Sequence, residues 1–327
     1  MPTMGHAGRK IFIYSLPTII IFIFAVFFSF TNLSHYTWDN IPVHSTVEST
    51  GAIIAIILSI ILLSTTENHP QEFYKVAVSS ALLGMGILDL FHSSVSPSQN
   101  FVWFHSSATL LGGVFFSLVW LSPKVVFHPT ILPIISLAIS LSLVFIALFS
   151  PGNTPTMLQG GQFTSSAKAL HLFGGLGFTF AAAWFYRNYY YKSNSQYILF
   201  ANHCLLFGVS ALIFEISNLW CINWWLWHGT RLLAYMVAML LIFRIYRNID
   251  KEKDLALIEL REALKNIKVL KGFLPICASC KKIRDDKGYW NQIEAYIKEH
   301  SEANFSHGIC PECAEKLYPG LNLKEKI

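Results

Sequence analysis

Residues 73–92 read FYKVAVSSALLGMGILDLFH, an apolar run with Asp89 and His92 at its C-terminal end. The run is about as long as the ~20 residues that a helix needs to cross a bilayer. Seven further apolar runs lie between Ile11 and Ile245. The chain is 53% hydrophobic and only 13% charged, whereas a soluble domain carries about 25% charged residues. The sequence therefore predicts an all-α polytopic membrane protein with eight transmembrane helices.

The predicted spans are joined by short connections, apart from a loop at 150–166 that is rich in Gly, Pro and Thr. From first to eighth they are Ile11–Phe30, His44–Ser64, Phe73–Phe91, Phe101–Leu121, Ile131–Phe149, Ala167–Tyr186, Tyr197–Trp220 and Trp224–Ile245. The first span shows no small-residue cleavage site, so we interpret it as an uncleaved helix. The pattern divides the chain into a membrane domain (1–245), a linker (246–273) and a tail (274–327).

Basic residues gather at one set of helix ends: Arg9, Lys10, Lys75, Lys124, Arg187, Lys192, Arg244 and Arg247. The loops on the other side contain no Lys or Arg, and Lys168 only begins span six. Because the positive side stays cytoplasmic, both termini are expected inside. The other ends carry Trp38, Trp103, Trp220, Trp224, Trp225 and Trp227, which is typical of an interfacial aromatic belt.

Ionisable residues of the spans collect near the ends that should face outward. They are His44, Glu48, Asp89, His92, His105, His171, Glu215, His228 and Arg231. Such groups are costly inside a membrane and are functional candidates. His44 and Glu48 are four residues apart, and Asp89 and His92 are three apart, so each pair shares a helix face. We predict that most of these side chains converge in one ligand-binding cavity that opens outward.

Helix alternation makes this prediction specific. Short turns should place His92 beside His105 and Glu215 beside His228. A buried Arg231 needs a carboxylate partner, for which Glu215 or Glu48 is expected. Spans one and five carry no such residue and should contribute little. His203 lies on the cytoplasmic half of span seven and receives no role.

Several chemistries suit such a set of residues. Imidazole binds Zn, Cu and Fe, and carboxylates complete or orient the ligand shell. Two axial histidines would hold a haem, and Arg231 would favour an anionic ligand. Histidines also titrate near physiological pH. Alternatively, interhelical His–carboxylate hydrogen bonds hold the helices together, at ~0.6 kcal/mol each.

The linker is charged and contains a single glycine, Gly272. Its heptad positions a read Tyr246, Lys253, Leu260, Ile267 and Leu274, and its positions d read Ile249, Ala256, Ala263 and Leu270. This imperfect seam predicts a coiled coil that joins two copies of the chain. A single amphipathic helix packed on its own chain is the alternative.

The tail holds two Cys-x-x-Cys pairs, Cys277/Cys280 and Cys310/Cys313. Paired thiolates at this spacing predict a structural zinc site in a region too small for a large core. His307 is the alternative fourth ligand, and a reduced, metal-free pair of knuckles is the alternative to zinc. A basic patch begins at Lys281, but acidic residues follow at once, so we interpret it as a solvated face with no nucleic-acid partner.

The tail sequence LPICASCKKIRDDKGYWNQIEAYIKEHSEANFSHGICPECAEKLYP resembles a cysteine-rich tail found at the C-termini of many bacterial sensory proteins, often after PAS or receiver domains. The membrane part, with HSTVES, DLFHSS, WFHSSATL and HLFGG, is similar to MASE-type membrane-associated sensor domains. These usually precede kinase, PAS or diguanylate-cyclase modules, which this chain does not contain. The resemblance implies a signalling protein of the bacterial inner membrane.

Motifs of nucleotide-binding loops, nucleophile elbows and zinc proteases are not found in the sequence, so we predict no enzymatic activity. The favoured function is a sensor or adaptor. It would bind a ligand, metal or haem on the outer side, signal through a dimeric coiled coil, and contact a cytosolic signalling protein through its tail. A transporter or haem-binding membrane electron carrier is the alternative.

Overall fold

The computed structural model describes residues 4–31, 36–66, 73–121, 128–266 and 274–319. The chain divides into two compact units, Met1–Arg247 and Asn248–Ile327. The boundary lies close to the predicted end of the membrane domain.

In the part of the chain that the structure describes, eight helices are long and apolar enough to cross a membrane, which supports the prediction of a multi-pass membrane protein. They are α1 (Met4–Ser29), α2 (Ile41–Ser64), α3 (Phe73–Ser94), α4 (Gln99–Ser117), α5 (Ile131–Phe149), α6 (Ser165–Lys192), α7 (Ser195–Glu215) and α8 (Ile222–Asn266). Asn40 caps α2 and Thr164 caps α6, each accepting a backbone N–H with its side chain. The bounds therefore follow polar caps as well as hydrophobicity.

The C-terminal ends of three helices differ most from the sequence prediction. Helix α7 ends at Glu215 rather than at Trp220. The following turn places Trp220 at φ 65°, and its carbonyl accepts a hydrogen bond from the backbone N–H of Trp38. Helix α6 extends to Lys192, and α8 continues without a break to Asn266. The charged sequence after Ile245 stays helical as far as Asn266. It contains no proline or glycine, which are the residues that most disfavour the interior of a helix.

The loop before α6 contains a short hairpin, β1 (Leu158–Gln159) and β2 (Gln162–Phe163). Gly160 and Gly161 form its tip with positive φ angles. The side chain of Gln99 donates to the carbonyl of Leu158 and accepts the N–H of Met157. Phe163 stacks on Phe214 of α7, so the hairpin lies against the bundle.

Small polar residues hold the buried helices of the bundle together. Ser59 of α2 and Ser79 of α3 bond to each other at 2.9 Å, and Ser136 of α5 donates to the carbonyl of Ser80 at 2.6 Å. Helices α4 and α6 cross where Gly113 meets Gly174, and a methyl group on either glycine would collide with the opposite backbone. Small residues and hydroxyl hydrogen bonds are the usual means of packing helices in lipid.

The second unit begins with the charged part of α8. Its tail has the hairpin β3 (Ile283–Arg284) and β4 (Trp290–Asn291), followed by α9 (Ile293–His300) and α10 (Pro311–Leu317). Asp285 orders the hairpin turn by accepting the backbone N–H groups of Lys287 and Tyr289 and the side-chain amide of Asn291. These contacts hold the pKa of Asp285 below its ordinary value, chiefly through the Tyr289 N–H.

The predicted coiled-coil seam falls partly in the described helix. Ile249 and Leu260 are exposed on α8 within this single chain. Ile267 and Leu270 lie outside the described residues. The coiled coil stays a prediction.

Candidate metal centre

Five buried histidines meet at the end of the bundle where α2, α4, α6 and α8 begin and α3 ends. This histidine layer consists of His44, His92, His105, His171 and His228, each at most 2% exposed. Helices α1 and α5 contribute none of these side chains among the described residues. The histidines face one another rather than lipid, as the sequence predicted.

Three of these imidazoles point their Nε2 atoms at one another. The Nε2 of His44 lies 3.0 Å from the Nε2 of His228 and 3.1 Å from the Nε2 of His92. The three side chains belong to α2, α8 and α3, and their ligand atoms all lie within 4.8 Å of one another. The three nitrogen atoms therefore bring α2, α3 and α8 together at a single position.

Backbone carbonyls fix the tautomers of two of the three rings. The Nδ1 of His92 donates to the carbonyl of Phe101 at 2.7 Å, and the Nδ1 of His228 donates to the carbonyl of Trp224 at 2.7 Å. A carbonyl only accepts, so both Nδ1 atoms carry the proton. In the neutral rings, both Nε2 atoms present lone pairs. An N–H bonded to a carbonyl is the usual orienting contact of a metal-binding histidine.

Glu48 lies one helical turn below His44 and completes this group. Its Oε1 is 3.6 Å from the Nε2 of His228, and its Oε2 has no hydrogen-bond partner. The side chain is 2% exposed. A buried carboxylate oxygen without a partner is unfavourable unless a cation or a proton satisfies it.

Arg231 anchors a second network directly beside the trio. It donates to Asp89 at 2.5 Å, to Thr109 at 3.2 Å and to the Nε2 of His105 at 3.3 Å. Tyr235 donates to the same Asp89 oxygen at 3.0 Å. The expected partner of Arg231 was Glu215 or Glu48, and this prediction was wrong. The rotation of α8 points Arg231 at α3, on which Asp89 lies.

Thr109 and Tyr235 were missed by the sequence analysis. A signal for Tyr235 was available, because it lies four residues after Arg231 and so shares its helix face. Thr109 lies four residues after His105 in the same way. Both side chains are uncharged at physiological pH, so the pattern of charged residues and histidines does not indicate them.

Glu215 and His171 lie at the edge of the arrangement. The charged neighbour of Glu215 is Lys168, whereas the carboxylate that His228 approaches is Glu48. The expected Glu215–His228 pair is therefore replaced by a pair with α2. His171 stacks on Phe214 with ring centres 3.5 Å apart and lies 5.1 Å from His105.

His92 and His105 are neighbours as predicted, with ring centres 4.8 Å apart. They are not distinctly the closest pair, because the His44–His228 ring centres are also 4.8 Å apart.

Aromatic rings fill the space around the layer, so it does not line the open cavity that the sequence predicted. Trp227 stacks on His228 with ring centres 3.5 Å apart, and Trp224 packs against the same ring at a tilt, with ring centres 3.8 Å apart. Both tryptophans are at most 2% exposed. They belong to the site rather than to an interfacial belt. A small void bordered by His92 and His105 has room for on the order of one water molecule. This void is too small for an organic ligand.

His203 lies apart from the layer. Its Nδ1 bonds to the carbonyl of Ala234 at 2.9 Å, and its ring packs on Phe116 and Phe207. It therefore links α7 to α8 inside the apolar core.

The tail brings the members of each cysteine pair together. Backbone N–H groups, first that of Cys280, lower the pKa of Cys277, and the N–H of Cys313 likewise lowers the pKa of Cys310. The thiol of Cys313 donates to Cys310, which raises the pKa of Cys313. A lowered pKa favours the thiolate, the form that binds metals. In the described part of the chain, the compact groups of three potential metal ligands lie in the histidine layer and not in the tail. A four-thiolate zinc site stays a prediction.

Comparisons with protein-family models, curated proteins and solved structures found no match to this chain. The fold and the site define a multi-pass membrane protein whose buried histidines and carboxylates could hold a metal ion.

Proposed function

We propose that this protein is a bacterial inner-membrane sensor that binds a transition-metal ion through His44, His92 and His228, with Glu48 as a further ligand. The observation that carries the proposal is the convergence of three Nε2 atoms, with 3.0 Å and 3.1 Å between the His44 nitrogen and the other two.

Hydrogen bonding alone leaves this trio unsatisfied. His92 and His228 both present lone pairs, so His44 has a single N–H to share between two acceptors. Its own Nδ1 is then a buried atom without a partner. A metal ion accepts all three lone pairs. Zinc–nitrogen bonds of about 2.0–2.1 Å at tetrahedral angles place neighbouring nitrogens roughly 3.3–3.4 Å apart, a few tenths of an ångström beyond the 3.0 Å and 3.1 Å found here.

The geometry favours a bare ion over the other ligands that the sequence left open. The imidazoles contact one another directly and leave no ring-sized space for a haem between them. Arg231 is already paired with Asp89, so an anionic ligand would have to compete with that carboxylate. Three nitrogens and a carboxylate suit Zn, Cu, Ni or Fe.

Helix α8 provides the route for the signal. It carries His228 near its start and continues as one helix to Asn266. An ion that pulls His228 toward α2 and α3 stabilises one arrangement of α8 over others, which is a population shift. The exposed apolar seam residues Ile249 and Leu260 would pack against the same helix of a second copy of the chain in a coiled coil. The tail would then bind zinc through its four cysteines and contact a cytosolic signalling protein.

Topology can be tested with reporter fusions in two turns that the structure describes. Because the basic residues define the cytoplasmic side, a fusion at Gly152 between α5 and α6 should be active outside the cytoplasm. A fusion at Ser193, between α6 and α7, should be active inside. Alkaline phosphatase and a fluorescent protein report the two sides. The reverse pattern would place the histidine layer on the cytoplasmic side and refute the outward orientation.

Crosslinking tests the relay from the metal to α8. The four tail cysteines are replaced by serine, and a cysteine is introduced by Leu260→Cys or, as the matched control, Glu259→Cys. Leu260→Cys should form bismaleimide-linked dimers severalfold faster, since it lies on the predicted seam. Zn²⁺ should change the Leu260→Cys rate relative to chelator. The additional substitution His44→Gln should abolish that change.

Equal rates at both positions would argue against the coiled coil. A zinc response that survives His44→Gln would assign sensing to another site.

A further inference from the structure

A second group of ligands overlaps the three-histidine position. Glu48, His92 and His105 offer one ligand atom each, and these atoms all lie within 4.8 Å of one another. All three residues are at most 2% exposed. The Oε2 of Glu48 and the Nδ1 of His105 have no hydrogen-bond partner, and neither has the Oδ1 of Asp89, 3.5 Å from that Nδ1.

We propose that Glu48, His92 and His105 form a second position for the same ion, and that the two positions cannot be filled at once. The proposal rests on the proposed metal-binding function and deepens it. Two histidines and one carboxylate with open positions form a known ligand set for divalent iron and related ions. We call this set the carboxylate position and the other the three-histidine position.

His92 makes the two positions exclusive. Its Nδ1 is committed to the carbonyl of Phe101, so only Nε2 remains as a ligand. Both groups contain His92, and one lone pair binds one ion. The bundle therefore holds one ion that has two places to bind.

Filling the carboxylate position changes the contacts of Arg231. A guanidinium group only donates, so the Nε2 of His105 must accept the hydrogen bond from Arg231. If Nε2 becomes a metal ligand, its lone pair is no longer available. If Nδ1 becomes the ligand, Nε2 carries the proton of the neutral ring and cannot accept. In both cases the Arg231–His105 bond is lost.

The two positions therefore connect different helices. The three-histidine position ties α8 to α2 and α3 through His228. The carboxylate position ties α4 to α2 and α3 through His105. It releases α8 at His228 and removes one of the three hydrogen bonds of Arg231, whose bonds to Asp89 and Thr109 remain. Movement of one ion between the positions would switch the end of α8 that carries His228 between a held and a released arrangement.

Copper titration of the full-length chain tests this inference, with the four tail cysteines replaced by serine so that only the bundle is probed. Cu²⁺ is added alone, and elemental analysis gives its stoichiometry. Electron paramagnetic resonance then counts the coupled nitrogens. The variants are His228→Gln, His105→Gln and His92→Gln. The matched control is His203→Gln, which changes a buried histidine outside both positions.

The original bundle should bind one Cu²⁺. His228→Gln should still bind one ion, now with two coupled nitrogens. Adding His44→Gln should leave both nitrogens in place, because they come from His92 and His105. His105→Gln should bind one ion with three. His92→Gln should lose affinity by about 100-fold or more, since loss of an outer-shell partner alone costs 10–100-fold. His203→Gln should match the original bundle. His228→Asn and His105→Asn repeat the test where a glutamine variant does not fold.

Two ions in the original bundle would overturn the exclusive arrangement. Loss of copper in His228→Gln and His228→Asn, with His105→Gln unchanged, would remove the carboxylate position and leave the proposed function intact. An original bundle that binds no copper would refute the proposed metal function itself.

Discussion

Chelation of zinc is expected to unfold the tail, residues 274–319, and to leave the eight-helix unit folded. The buried apolar side chains in this described region are Ile283 and Ala314, and such a small core cannot stabilise a domain alone. Structural zinc supplies about 10–16 kcal/mol of apparent binding free energy in comparable small domains. Hydrogen exchange followed by mass spectrometry, with and without a zinc chelator, measures protection in both units of the same sample.

Single substitutions sharpen this test. Cys277→Ser should reproduce the effect of the chelator in the tail, because it removes a thiolate that the neighbouring N–H groups favour. Cys204→Ser is the matched control, since Cys204 is fully buried in the bundle. It should leave protection of the tail unchanged. A tail that stays protected without zinc would remove the predicted site. X-ray absorption showing a nitrogen ligand would replace one cysteine by His307.

Depth in the membrane could be predicted from the sequence because helix length and alternation fix it. Residues near the starts of α2, α4 and α8 must lie level with the end of α3, and His44, His105, His228 and His92 do so. Helical periodicity also gave the shared faces of His44 with Glu48 and of Asp89 with His92. These two rules account for most of the histidine layer.

Partner choice could not be predicted in the same way, because it depends on how each helix is rotated and which helices are neighbours. Glu215 precedes the turn that leads to His228, yet the two side chains have different partners, Lys168 and Glu48. Arg231 pairs with Asp89 on α3, a helix that is distant in sequence. Hydrophobicity also could not distinguish a tryptophan at the interface from one packed on an imidazole, as Trp224 and Trp227 are.

Asp89→Asn is expected to cause the largest loss of stability in the bundle, about 3–5 kcal/mol. Asp89 is 0% exposed and Arg231 is 1% exposed, and their side chains lie 2.5 Å apart. The substitution leaves the Arg231 charge buried without a counter-charge. The free energy of unfolding can be measured by titrating the detergent-solubilised protein with SDS and following tryptophan fluorescence.

Three further variants separate the ion pair from its surroundings. Tyr235→Phe removes one hydrogen bond to a charged group and should cost about 1.5–3 kcal/mol. Glu215→Gln changes a carboxylate at the same end of the bundle but outside the network, and it should cost less than Tyr235→Phe. The double variant Asp89→Leu/Arg231→Leu removes both charges together and should recover most of the stability lost in Asp89→Asn, because an apolar pair has no buried charge to satisfy. If Asp89→Asn is as mild as Glu215→Gln, the buried ion pair does not stabilise the bundle, and another contact must hold α8 against α3.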